Sequence, residues 1–255
     1  MLLCVIVFWL VENFYTPAPY SPDKSSGQLP FKSGLLPAST TNAVVMHEYY
    51  MLSYSEEHEQ AEWLAYELKK EQLTLDDRKR PYFIEDPKVR SKSADWRNYK
   101  GSGFDRGHLC PAGDRRFSKL AYNETFYTSN IAPQDRDFNA GLWNRLEMKV
   151  RSWCKQHGHL YVITGGILED GLQEIGEEDV DVPNYFYKIV CRFDGKRPKA
   201  LAFIMPNREF GKPLEGFLVS VDELEKRTGI DFFYQQSQEW QQTVESKVRT
   251  NGWDF

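Results

Sequence analysis

The stretch from Asn139 to Met205 constrains the fold most tightly, because a helical period gives way within it to three strand-like runs. Leu142, Leu146, Val150 and Trp153 recur at helical spacing, which predicts an amphipathic helix over Asn139–Cys154 with Asn139 at its N-terminal end. Leu160–Thr164, Tyr185–Phe193 and Lys199–Met205 follow as apolar runs and read as strands of one central sheet. Beyond a Gly/Pro-rich loop, Ser220 with Glu223 forms a capping box and Gly229 suits a helix C-terminus, so Val221–Thr228 is predicted as a short helix. The class expected is α+β, a central, mainly antiparallel sheet flanked by helices.

Upstream, Val44–Leu52 is β-branched and aromatic enough for a strand. Ser53 then reads as a helix start, with Glu56 completing a capping box and Ala61, Leu64, Ala65 and Leu68 as the apolar stripe. Leu73–Tyr99 is polar, proline-punctuated and basic, and is expected to be an irregular surface segment. The apolar run Met1–Val11 is too short for a usual bilayer span and resembles a signal-peptide core, or a weak anchor, although no Lys or Arg precedes it. Five prolines between Thr16 and Asn42 suggest a linker. The organisation expected is a leader over 1–15, a linker over 16–42 and a single domain over 43–255, with a secreted or periplasmic location. No stable membrane partner is expected once the leader is removed, and nothing in the sequence fixes an oligomeric state.

A net charge of −5 argues mildly against a polyanion as partner. The distribution argues the other way: Arg78–Lys119 holds twelve Lys and Arg against five Asp and Glu, about +7. Glu169–Asp181 carries seven acids and no base, and reads as a solvated loop without a metal. Cys110, Cys154 and Cys191 are expected to be buried free thiols, with Cys4 in the leader. His157-Gly158-His159 offers only two ligand-type side chains and no nearby acid, too few for zinc. His58 is expected to be solvated on a charged helix face and His47 structural within a strand, while Trp143 and Trp153 are assigned to the core.

The chemistry concentrates in Asp105-Arg106-Gly107-His108. His108 sits among small and polar residues, with a pKa near the operating pH of a general base, and Arg106 suits a phosphate. Asp105 and Arg106 could equally be a plain surface ion pair, and Gly107 is expected to permit a close backbone turn. Glu147 and Arg151 have the spacing of an ordinary i, i+4 helix pair.

Three segments in this order, DRGH at 105–108, TSNIAPQ at 128–134 and NAGLWNRLE at 139–147, resemble the DNA/RNA non-specific endonucleases, which are ββα-metal nucleases. The likeness extends from about His47 to Ile230. It implies a ββα-metal motif within the fold and Mg²⁺-dependent hydrolysis of DNA and RNA, without sequence or sugar preference, to 5′-phosphate ends. His108 would be the general base and Asn139 the direct ligand of a single Mg²⁺, with Mn²⁺ as a substitute. Glu147 would hold a metal-bound water, Asn130 would position His108, and Arg106 would meet the scissile phosphate. Arg151 would stabilise the pentacovalent state or the leaving group, and Arg80 matches a phosphate-binding Arg across a gap. Asp105 would support the loop and not the metal. The substrates would be held through the phosphate backbone. A catalytically inactive nucleic-acid-binding or interaction domain of the same fold, or a phosphodiesterase for another anionic ester, are the alternatives.

Overall fold

A computed structural model describes residues 2–15, 18–20, 31–194 and 197–255. Seven strands form one sheet in the order β1 (Val44–Met46), β2 (Met51–Ser55), β3 (Gln60–Lys69), β6 (His159–Gly166), β9 (Tyr185–Asp194), β10 (Arg197–Pro206) and β11 (Leu218–Val219). Every neighbouring pair is antiparallel. Two short hairpins lie outside the sheet: β4 (Asp105–His108) with β5 (Ile131–Gln134), and β7 (Gln173–Ile175) with β8 (Val180–Val182). The helices are α1 (Leu2–Phe14), α2 (Lys119–Glu124), the single turn α3 (Arg136–Phe138), α4 (Asn144–His157), α5 (Val221–Thr228) and α6 (Gln238–Val244). The α+β architecture read from the sequence is therefore present.

The sheet is covered on both faces, and this decides where the sequence pattern is readable. On one side Leu52, Leu64, Leu68, Val162, Val190 and Phe203 pack against Leu142, Leu146, Val150 and Trp153. On the other, Trp63, Ala65, Ile163, Ile189 and Ala202 pack against Val221, Leu224, Phe232 and Val244. Each large apolar side chain removed from water in this way contributes about 1.5–3 kcal/mol. Trp143 and Trp153 are buried, as expected of core residues.

The helix expected from Ser53 is instead the β2–β3 hairpin. Ser53 pairs with Trp63, and the turn closes at Glu59, which adopts a positive φ of 51°. A strand buried on both faces loses the two-residue alternation, so the apolar positions of β3 also match a helical stripe. His58 accordingly lies in this turn, with Nδ1 2.5 Å from Asp181 Oδ2, and not on a solvated helix face. The run Val44–Leu52 is two strands, turned between Met46 and Met51. His47 falls in that turn and is structural, its Nε2 2.7 Å from Asp86 Oδ2. This contact and the burial of Ile84 and Val89 tie the irregular segment Leu73–Tyr99 to the body. The acidic segment is likewise more than a loop: Ile175, Val180 and Val182 anchor the β7–β8 hairpin in a third apolar cluster, and Asp181 is buried while its six other acids stay exposed.

Elsewhere the local reading holds. The run from Asn139 to Cys154 is a π-turn over Asn139–Trp143 that continues directly into α4. Ser220 caps α5 by accepting from the Glu223 amide at 3.1 Å, and Gly229 ends it with φ 70°. Cys110, Cys154 and Cys191 are buried free thiols. Of the segment read as a linker, residues 16–17 and 21–30 lie outside the described residues, as does Met1, but Phe31 and Leu35 are buried beside Trp63. Among the described residues no helix is long and apolar enough to cross a membrane.

Candidate active site at the β4–β5 hairpin

The tetrapeptide Asp105-Arg106-Gly107-His108 is the whole of β4. It pairs with β5 so that Asp105 faces Gln134 and His108 faces Ile131. Strand alternation puts Arg106 and His108 on one face and Asp105 and Gly107 on the other. Gly107 is thus in extended backbone and not a turn. Glycine is required for a different reason: the Gln134 side chain lies across it, and any Cβ would collide with the Gln134 amide.

Directly after His108, the buried Asn130 clamps the chain. Its Oδ1 accepts from the Cys110 amide at 2.8 Å, and its Nδ2 donates to the carbonyls of Cys110 at 3.0 Å and Thr125 at 2.8 Å. His108 itself packs between Phe83 and Phe126, with ring centroids 5.6 and 5.2 Å away, and its Nε2 is buried without a hydrogen-bond partner. Burial first, then the charges of Arg80 and Arg106, hold its pKa down to about 3, which corrects the expectation of a value near the operating pH and leaves the ring neutral. Both guanidiniums lie over the Phe83 ring, Arg106 at 4.8 Å and Arg80 at 5.3 Å, and neither has an ion-pair partner among the described residues. The sequence alone left Arg80 dependent on a gapped match. The structure brings it beside Arg106 and His108.

On the other face, Asn139 Nδ2 donates to Asp105 Oδ2 at 3.0 Å. This leaves the amide oxygen of Asn139 without a partner among the described residues. Asn139 opens the π-turn, whose backbone is held from two sides. Asp135 caps α3 by accepting from the amides of Asp137 and Phe138, both at 3.0 Å. Glu209, from the loop after β10, accepts from the Leu142 amide at 2.6 Å and from Arg145 at 2.8 Å. Gly141 makes room for that carboxylate, since a Cβ there would collide with it.

Glu147 lies two helical turns beyond Asn139, as expected, in a denser network. Arg151 donates to Glu147 Oε2 at 3.3 Å, and its Nε donates to Asp114 Oδ1 at 2.5 Å. Its guanidinium is therefore taken up by two carboxylates. Asp114 also accepts from Tyr66 at 3.1 Å. The buried Lys188 of β9 sits 4.4 Å over the Trp143 ring and bonds Thr164 at 3.1 Å. Burial raises the Glu147 pKa, and Arg151 and Lys188 pull against it; burial likewise lowers that of Lys188. Sequence reasoning missed Lys188, Asp114 and Glu209. None left a clear signal: Lys188 shares the apolar run of β9 with a second basic residue, Arg192.

Two antiparallel strands followed by a helix, with an amide on its first turn and a carboxylate two turns on, form a ββα unit. The family model for DNA/RNA non-specific endonucleases matches residues 30–239. The chain belongs to this family. Relatives within it include the mouse mitochondrial nuclease EXOG, 38% identical over 202 residues that cover 72% of this chain and 55% of that protein. Human mitochondrial endonuclease G is 37% identical, covering 72% and 67%. Nuclease C1 of Cunninghamella echinulata var. echinulata is 36% identical, covering 76% and 84%. Among solved structures, an endonuclease G crystallised with the inhibitor EndoGI superposes with a TM-score of 0.75 at 29% identity, covering 87% of this chain and 96% of that one.

The chain spans 55% of the length of mouse EXOG and 62% of the human protein. These family members also correct the secreted or periplasmic location expected from the leader, since EXOG and endonuclease G are mitochondrial proteins. A short apolar helix without a basic flank encodes no particular compartment.

Proposed function

We propose that this chain is a Mg²⁺-dependent endonuclease that hydrolyses phosphodiester bonds of DNA and RNA, without sequence or sugar preference, to 5′-phosphate ends. The observation that carries the reading is the pair Arg80 and Arg106, unpaired and stacked on Phe83, beside a neutral His108. Two uncompensated guanidiniums form a site for a phosphate, and the neutral imidazole beside them has a lone pair to accept a proton. Family membership supports the same reading. The nuclease unit is a single body over residues 43–255, with Phe31 and Leu35 packed onto it.

In this mechanism Arg106 and Arg80 hold the scissile phosphate through its non-bridging oxygens. This explains recognition by backbone and not by base. With Nε2 buried and unpartnered, Nδ1 is the His108 nitrogen assigned to accept the proton of the attacking water. Asn130 positions His108 by fixing the chain at Cys110. Arg151 works through Glu147, holding its carboxylate in place and pulling its pKa down against the effect of burial.

A divalent metal belongs to the chemistry of this family. The residues here fit a small hard cation: Asn139 presents an unpartnered amide oxygen and Glu147 supplies a carboxylate, with no thiolate or imidazole between them. Asn139 would ligate Mg²⁺ directly and Glu147 through a water, Mn²⁺ being an acceptable substitute. Once bound, the ion would supply charge neutralisation for the pentacovalent state. Asp105 orients the Asn139 amide and is not a ligand. The test is digestion of plasmid DNA and of RNA side by side, in Mg²⁺ and in EDTA, with the product ends assayed for 5′-phosphate. Products with 5′-hydroxyl ends, or cleavage indifferent to EDTA, would overturn the reading.

A further inference from the structure

Far from the β4–β5 hairpin, three carboxylates converge where the end of α6 meets the start of α5. One oxygen from each of Asp222, Glu225 and Glu245 lies within 4.8 Å of the others. Clustered acids at a surface are common, and the cluster alone would carry nothing. The deciding observation is Glu245. It is only 7% exposed, and its Oε1 is buried with no hydrogen-bond partner. None of the three carboxylates is paired with a Lys, Arg or His among the described salt bridges. Glu225, Asp222 and Asp231 are the charged groups that face Glu245, and all three are acidic. An unpaired carboxylate held among three others is a costly arrangement unless a cation occupies it.

We propose that Asp222, Glu225 and Glu245 form a calcium site, separate from the nuclease centre, that clips the end of α6 to the start of α5. The donors are all hard oxygens, which selects Ca²⁺ or Mg²⁺ over zinc or copper. Three protein carboxylates at one point favour calcium, which takes six to eight oxygens in flexible geometry, whereas Mg²⁺ keeps several waters and is usually held by one or two carboxylates. The backbone is already arranged for such a clip, since the Asp222 amide donates to the Glu245 carbonyl at 3.2 Å and Glu225 Oε1 accepts from the Phe232 amide at 2.9 Å. The C-terminal segment leaves from this point, and its Trp253 packs edge-on against Trp153 of α4, with ring centroids 5.0 Å apart.

The test uses the full chain carrying Asn139→Ala, so that the proposed nuclease metal does not contribute. Calorimetric titration with CaCl₂ is expected to find one bound ion, and Tm to rise by about 5 °C at a calcium concentration 100 times Kd. Adding Glu245→Gln should abolish both the binding and the shift. Glu225→Gln serves if that variant does not fold. Absence of calcium binding in the Asn139→Ala chain, or calcium binding that survives the loss of Glu245 or Glu225, would overturn the proposal.

Discussion

The Glu209 carboxylate accepts a hydrogen bond from the Leu142 amide at 2.6 Å, inside the π-turn that begins at Asn139. A π-turn widens the helix and frees an amide, which a side chain from elsewhere must then satisfy. Glu209 does so from 67 residues away in sequence, and thereby sets the position of Asn139. Glu209→Ala is expected to weaken metal binding about tenfold to a hundredfold while leaving activity at saturating metal largely intact. Titration of activity against Mg²⁺ concentration separates the two effects. An unchanged half-saturating concentration would show that Asn139 does not depend on this support.

Gly107 and Gln134 make a second testable pair. A methyl group at Gly107 must displace a fully buried side chain, so Gly107→Ala should cost about 1–3 kcal/mol in urea unfolding. Shortening the partner in Gly107→Ala/Gln134→Ala should recover most of that loss. Additive costs in the double variant would mean that the close approach is not the cause.

The depressed pKa of His108 has a definite sign. A histidine whose folded pKa lies near 3 stays neutral in the fold while the unfolded chain takes up a proton below about 6.5. Its contribution to stability is therefore complete above pH 6.5 and is lost as pH falls from there toward 3. The same shift keeps the base available. At saturating metal, kcat/KM should change little between pH 7 and pH 5, where an unperturbed imidazole would lose about 25-fold. A loss of that size, absent from a parallel measurement of DNA binding, would contradict the neutral-His arrangement.

Much of this was legible in the sequence, and the remainder was hidden for identifiable reasons. The α4 stripe, the three long strands after it and the caps of α5 were readable because each is a local pattern matched to its own element. β3 was not, since burial on both faces removes alternation and leaves a run that fits a helix equally well. His108, Asn130, Asn139, Glu147 and Arg106 stood out through ordered short motifs. Lys188, Asp114 and Glu209 act on the same centre from β9, from a turn and from a distant loop. No local pattern marks such positions, because only the tertiary fold creates their partners. Gly107 was noticed for the wrong reason: a glycine in a strand answers to what lies above it, which the sequence does not display.

Arg80 and Arg106 should contribute to affinity chiefly through phosphate charge. Replacing either with Ala should weaken DNA and RNA binding uniformly across sequences and reduce the slope of log K against log salt by about 1. Binding measured from 50 to 200 mM salt checks this. A slope unchanged in both variants would place the phosphate elsewhere.

The most direct measurement is cleavage of supercoiled plasmid by the purified chain in Mg²⁺, with His108→Ala alongside. The account predicts nicking and linearisation by the parent, abolished by EDTA, and a rate lower by about 10²–10⁴-fold in His108→Ala at unchanged DNA affinity. A parent that binds but never cleaves in any divalent metal, or a His108→Ala protein as fast as the parent, would contradict it.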